Sequence, residues 1–328
     1  MNMTRRTAIT ATAAAAAAIP LSAGPSDAAA PMAGKQAPGF YRYKIGAIEI
    51  TAVTDGARTF PLPDTFVLNA KKDEVNAALQ AAYMEKDKMT IPYTPIVINT
   101  GSKLILIDTG NGEDALAGSK GAAGQLKANL AASGIDAKNI DLVIISHFHA
   151  DHVNGLIAPG GGMAFPNAEI AVPAKEFAYW MDDGEMSRAP KGRMEDLFKN
   201  NRRVFDPIKN KVTRYEWDKE LAPGILAMGT PGHTPGHTSF MITSGANKVF
   251  VQSDVTNHPA LFVRNPGWHA FFDQDPAQAE ATRRKTFNMV VAEKAPVQGF
   301  HFPFPSLGHI EKDGNGYRLA PAPWNPAI

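Results

Sequence analysis

Leu142-Val143-Ile144-Ile145-Ser146-His147-Phe148-His149-Ala150-Asp151-His152 decides how the rest of the chain is read. Four apolar residues in a row suit a strand buried on both faces. The polar run that follows would sit on the loop at the strand's C-terminal end, where rigid scaffolds present reactive groups. The spacing of His147 and His149 lets two imidazoles leave an extended loop on one side and meet a single ion. Asp151 and His152, as the chain turns into a helix, can then face a second ion. Burying three histidines and an aspartate without a partner would be costly, so a purely structural role does not account for the cluster.

Outward from this strand, Tyr41 to Thr54 alternates as a pair of strands turning near Gly46. Ile96–Asn99 and Leu104–Ile107 form another pair around Thr100-Gly101-Ser102. Gly124 to Ser133 has helical spacing and stops at Gly134. Pro173 to Arg203 is helix-rich and is expected to cap one end of the molecule. Strands resume at Ile225–Met228, Thr238–Thr243 and Val249–Gln252. Pro276–Lys294 is the clearest long helix, with Asp275 placed to cap it, and Val297–Phe300 returns as a short strand. Two similar halves of strands and helices fit an α/β (α+β) chain folded as a four-layer αβ/βα sandwich, a single domain over residues 31–328.

Composition narrows the function classes. The chain has 328 residues, 44% of them hydrophobic and 20% charged, enough apolar material for a large core. The net charge is +1, so nothing favours nucleic-acid binding, and there are no cysteines, so thiolate ligands and a cysteine nucleophile are excluded. Residues 1–30 read as an export signal: Thr4-Arg5-Arg6-Thr7, an alanine-rich run to Leu21, and Ala28-Ala29-Ala30 for cleavage. The paired arginines suggest twin-arginine rather than Sec export, and a mature protein that is periplasmic or secreted. No other segment approaches the roughly 20 apolar residues of a membrane span.

His-x-His-x-Asp-His after a hydrophobic strand resembles the signature of the metallo-β-lactamase superfamily, and the likeness runs from about Tyr41 to His309. Asp108-Thr109-Gly110 looks like the family's earlier motif, whose aspartate supports the metal loop from behind its ligands. Thr230-Pro231-Gly232-His233-Thr234-Pro235-Gly236-His237 is similar to the next motif. By that resemblance His233 completes the site of His147 and His149, and His237 supports from behind. Asp254, after strand Val249–Gln252, matches the carboxylate that bridges both ions, and His301 matches the last ligand, joining Asp151 and His152. The resemblance implies two divalent ions, zinc by default, sharing a hydroxide that attacks an electrophilic carbon or phosphorus, with Asp151 as a proton shuttle.

Asp254 argues against a β-lactamase, and His149 against the diiron redox branch. What remains resembles the methyl parathion hydrolase group and related lactonases and arylesterases. The likeness lies in Gly39-Phe40-Tyr41-Arg42, Asn99 to Leu104, Ala164-Phe165-Pro166-Asn167-Ala168, and His301-Phe302-Pro303-Phe304-Pro305 with Gly308-His309-Ile310. The expected substrates are small esters, lactones or organophosphate triesters. Trp180 and Phe198 are candidates for an aromatic substrate wall, and His258 and His309 for substrate contacts; His269 reads as a surface or structural residue. Phe177 and Tyr179, taken as exposed on the cap, leave room for a homodimer. Two other readings compete: a mononuclear iron sulfur-dioxygenase using the first three histidines, and a non-catalytic metal-binding periplasmic protein.

Overall fold

A computed structural model describes residues 32–34 and 36–328; the expected export signal over residues 1–30 lies outside them. Residues Pro38–Ile328 form a compact unit. Its strands are, in chain order, β1 (Phe40–Ile45), β2 (Ile48–Val53), β3 (Gly56–Pro61), β4 (Lys88–Tyr93), β5 (Ile96–Asn99), β6 (Leu104–Ile107), β7 (Leu142–Ile144), β8 (Glu169–Pro173) and β9 (Val212–Tyr215). They continue with β10 (Glu220–Ala222), β11 (Ile225–Gly229), β12 (Thr238–Ser244), β13 (Asn247–Ser253), β14 (Val297–Gly299), β15 (Leu307–Asp313) and β16 (Gly316–Pro321). One seven-stranded sheet has the order β1-β2-β5-β6-β7-β8-β9, the other runs β10 to β16 in sequence, and β3 pairs with β4 alone.

The strands alternate between two cores, as period-two side-chain direction requires. Ile105 and Ile107 of β6, and Leu142 and Ile144 of β7, face the second sheet, where they meet Ile225, Phe240, Ile242 and Val249. Leu106 and Val143 face the other way, toward Leu126, Leu130, Phe148, Trp180, Phe198 and Phe205 of the helical layer. In β13, Val249 and Val251 look inward, while Phe250 packs outward with Phe287 and Val290 of helix Pro276–Glu293. Helix, sheet, sheet, helix is the expected four-layer sandwich. Each fully buried Ile or Phe contributes roughly 1.5–3 kcal/mol through apolar burial.

Three connections position the site. β6, β7 and β8 are parallel neighbours, so the loops after β6 and β7 emerge on the same edge. β13 and β14 are parallel in the other sheet, which brings the ends of both to that edge too. Helices Ala174–Trp180, Asp183–Arg188 and Arg193–Phe205 occupy the expected helix-rich stretch, and Phe177, Trp180, Phe198 and Phe205 pack it into the outer helical layer. Asp275 does cap helix Pro276–Glu293, accepting from Gln278 N at 2.9 Å. The sequence reading omitted the β3/β4 pair, helix Lys72–Ala81, β8, β9, β10 and the β15/β16 hairpin. Among the described residues no helix is long and apolar enough to cross a membrane.

Candidate metal centre

β7 ends at Ile144, the chain bends at Ser146, and His149, with extended backbone, leads into helix Ala150–Val153. Asp108, just after β6, pins this loop. It is buried, holds φ +60°, and accepts Ser146 N and Ser146 Oγ, each at 2.8 Å. Its Oδ2 also lies 2.8 Å from His152 Nδ1.

The other histidines are oriented in the same manner. His233 Nδ1 lies 2.8 Å from Asp273 Oδ1, His301 Nδ1 donates to Pro92 O at 2.8 Å, and His147 Nδ1 is 3.0 Å from Ser146 Oγ. With Nδ1 engaged, the Nε2 lone pairs of His147, His152, His233 and His301 are left for the centre. His149 presents Nδ1 instead, 3.1 Å from His147 Nε2.

These atoms converge in three overlapping groups: His147, His149 and His233; His147, His152 and Asp254; and Asp151, His152 and His301. Asp254 lies between the two sides. Its Oδ2 is 3.4 Å from His233 Nε2 and 3.0 Å from His301 Nε2, and its Oδ1 is 3.4 Å from His152 Nε2. Asp151 Oδ2 is 3.4 Å from His301 Nε2. The buried atoms His152 Nε2, His233 Nε2 and Asp254 Oδ1 have no hydrogen-bond partner. Buried polar atoms left unpaired are costly, and divalent cations at the centre would satisfy all three. The donor set of imidazoles and carboxylates, without thiolate, fits two such ions.

Electrostatics agree. Burial pushes His147 and His149 well below the usual histidine range, which suits neutral donors. Burial also opposes charge on His152, but Asp254, Asp108 and Asp151 outweigh it and lift the imidazole well above its ordinary value. The centre therefore holds a negative potential that attracts positive charge. His237 is buried, donates Nδ1–H to Thr230 O at 3.0 Å and accepts from Asp254 N at 3.0 Å. Burial first, then the neighbouring His233, drives it down to about 3, so it stays neutral and serves as an acceptor that fixes Asp254.

Several candidates fall elsewhere. Trp180 and Phe198 do not form a substrate wall; both are fully buried in the helical core, with ring centroids 4.7 Å apart. Cap packing drew them inward, and Trp180 Nε1 donates to Glu176 at 2.7 Å. Phe177 is also buried, beneath Arg214, so it gives no exposed face for a dimer; Tyr179 is half-buried. His309 pairs with Ala320 in the β15/β16 hairpin and is not among the converging groups. His258 is nearer: burial and then the charge of His301 push it down to about 4. It lines a groove of about 1280 Å³ with Met84, Pro92, Arg264, Trp268 and Leu319. His269 is a structural residue, 2.9 Å from Glu280 Oε2.

Two supporting residues escaped the sequence reading. Asp273 orients His233 and is itself met by Arg283 Nη2 at 3.3 Å. Glu176, fully buried, joins the two ligand loops: Oε2 accepts Phe148 N at 3.0 Å and Oε1 accepts Gly236 N at 2.7 Å. The turn that carries His233 needs Gly232, at φ +126°, because a Cβ there would strike the backbone of Ala279.

Comparison with known proteins agrees with this geometry. The profile of the metallo-beta-lactamase superfamily matches residues 92–293, and the chain belongs to that family. An N-acyl homoserine lactonase from a Bacillus species is 27% identical over 57% of this chain and 63% of its own length, so the match spans less than two thirds of that relative. Among solved structures, AidC, a dizinc quorum-quenching lactonase in complex with a product, superposes with a TM-score of 0.81 at 26% identity, covering 88% of this chain and 98% of AidC. AbOPH, a hydrolase of the beta-lactamase superfamily, gives 0.80 at 27% identity, covering 89% of this chain and all (100%) of AbOPH.

Proposed function

We propose that this chain is a dinuclear metal-dependent hydrolase of small lactones and esters, extending to organophosphate triesters. The observation that carries the reading is the position of Asp254, within 3.4 Å of ligand-type nitrogens from both histidine groups. A single-ion site would leave the Asp151, His152 and His301 group without a purpose. The lactonase relatives, AidC with its two zinc ions among them, support both the ions and a lactone as substrate.

His147, His149 and His233 would hold one ion, Asp151, His152 and His301 the other, and Asp254 would span them. Two divalent ions, zinc by preference, supply Lewis acidity and a nucleophile drawn from water at neutral pH. The chain's own residues do the rest. Asp108 and Asp273 keep two imidazoles turned toward the centre. Asp151 is the reachable carboxylate, its side chain 24% exposed against 4% for Asp254, and is the group that takes a proton and returns it to the leaving oxygen. Arg5-Arg6 and the alanine-rich run support export, so the enzyme would meet its substrate in the periplasm or outside the cell.

Turnover of metal-loaded protein should be measured on aryl esters, aliphatic lactones, N-acyl homoserine lactones and methyl parathion. Hydrolysis of at least one lactone or ester is expected; inactivity on all four classes would overturn the reading.

A further inference from the structure

Arg193 opens helix Arg193–Phe205, after Gly192 at φ +92°. The helix is anchored in the core by Phe198, Val204 and Phe205. Other arginines on it are occupied: Arg202 holds Met181 O and Asp183, and Arg203 holds Asn154 and Asn200. Arg193 has no hydrogen-bond or ion-pair partner among the described residues; its guanidinium lies over the ring of Phe271, 5.5 Å from the centroid. Phe271 is 39% exposed, stands 5.2 Å from Phe272, and Phe272 meets the metal-side His233 at 5.7 Å. The aromatic pair thus joins Arg193 to the rim of the centre.

Charge leads to the same place. Burial weighs most against the Arg193 charge, and Asp151 and Asp273 favour it. Neither carboxylate is free for it. Asp273 is committed to His233 and Arg283, and Asp151 belongs to the ligand group. A planar fork of N–H donors, placed over an aromatic ring beside a reaction centre, is suited to a carbonyl-type oxygen.

We propose that Arg193 and Phe271 form a substrate subsite in which the guanidinium donates to a carbonyl or carboxylate oxygen carried beside the scissile bond. The enzyme then prefers lactones and esters that bear an acylamino or acyl acceptor over those that lack one. This rests on the hydrolase reading above and specifies its substrate class.

The test compares wild type, Arg193→Ala and Arg193→Lys on an N-acyl homoserine lactone, which carries the acceptor, and on γ-butyrolactone, which does not. Calorimetric binding of the ring-opened N-acyl homoserine to each metal-loaded protein is measured alongside. Loss of a charged hydrogen bond is expected to lower kcat/KM on the acylamino lactone by about 10- to 100-fold, mainly through KM, and to weaken product binding by a similar factor. Turnover of γ-butyrolactone should fall by a much smaller factor than that of the acylamino lactone, and Arg193→Lys should retain part of the preference. Equal losses on both lactones, or on neither, would overturn the proposal. If wild type hydrolyses neither, the hydrolase reading fails while binding still decides the subsite: an Arg193→Ala protein that binds as tightly as wild type, or a wild type that does not bind, refutes it. Should Arg193→Ala not fold, Arg193→Lys decides in the same direction: a selective, smaller loss on the acylamino lactone supports the subsite, and equal losses on both lactones or on neither overturn it.

Discussion

Glu176 ties the loop of His147 and His149 to the loop of His233, and replacing it tests whether the metal centre depends on that tie. Its Oε2 accepts Phe148 N at 3.0 Å and Trp180 Nε1 at 2.7 Å, and its Oε1 accepts Gly236 N at 2.7 Å. In Glu176→Gln the amide oxygen keeps the better-populated side, and the NH2 group then faces Gly236 N–H. Two buried donors are stranded, costing about 2–5 kcal/mol. Burial raises the Glu176 carboxyl above its ordinary range, so removing the charge returns part of that cost, leaving roughly 1–3 kcal/mol net. Glu176→Ala strands three donors and opens a cavity, roughly 4–8 kcal/mol, comparable to the whole stability of a domain. Denaturant melts of metal-free and metal-loaded protein, with a competing chelator titration, separate the two consequences. Stability should fall by the net amount, and metal affinity should fall about 10- to 100-fold as well, because the loops carrying His149 and His233 are uncoupled. A Glu176→Gln protein with the wild-type melt and chelator midpoint would refute the reasoning.

Asp273→Asn should weaken metal binding and turnover by about 10- to 100-fold by loosening His233, measured by chelator competition and kcat; an unchanged protein would remove Asp273 from the account. Trp180→Phe should destabilise through loss of its bond to Glu176 and leave KM for an aryl ester as in wild type, whereas a KM change without a stability change would restore Trp180 to the substrate wall. His258 has its folded-state value near 4 against about 6.5 unfolded, so the unfolded chain binds more protons between those values, and stability is lost as pH falls from 6.5 toward 4. That loss is on the order of 3 kcal/mol by pH 4, and His258→Asn should flatten it in melts at pH 5 and 7.5.

What could be read in advance was whatever repeats along the chain or stands beside a regular element. β5, β6 and β7 alternate or run apolar, and the ligands follow directly on strand ends, so strand and ligand were legible together. Asp275 before Pro276 marked its helix for the same local reason. β3 and β4 are separated by the helix Lys72–Ala81 and pair with each other only; β3 has no buried face, and although β4 alternates buried Met89, Ile91 and Tyr93 with Lys88, Thr90 and Pro92, its partner lies far back in the chain. The β15/β16 hairpin does carry a turn signal, Asp313-Gly314-Asn315-Gly316. Glu176 and Asp273 look like ordinary helix and loop acids in the sequence; only tertiary packing turns them toward Phe148 and His233. Trp180 and Phe198 erred in the opposite sense, since a cap aromatic buries itself whenever the core offers it more apolar contact than the cleft does.

The central claim is that two ions share Asp254, and metal content measured against half-site variants tests it most directly. Wild type should retain two ions per chain, His149→Ala and His301→Ala should each retain one, and lactone or ester turnover should require both. A wild type that holds a single iron, or half-site variants with full metal content and full turnover, would contradict the account.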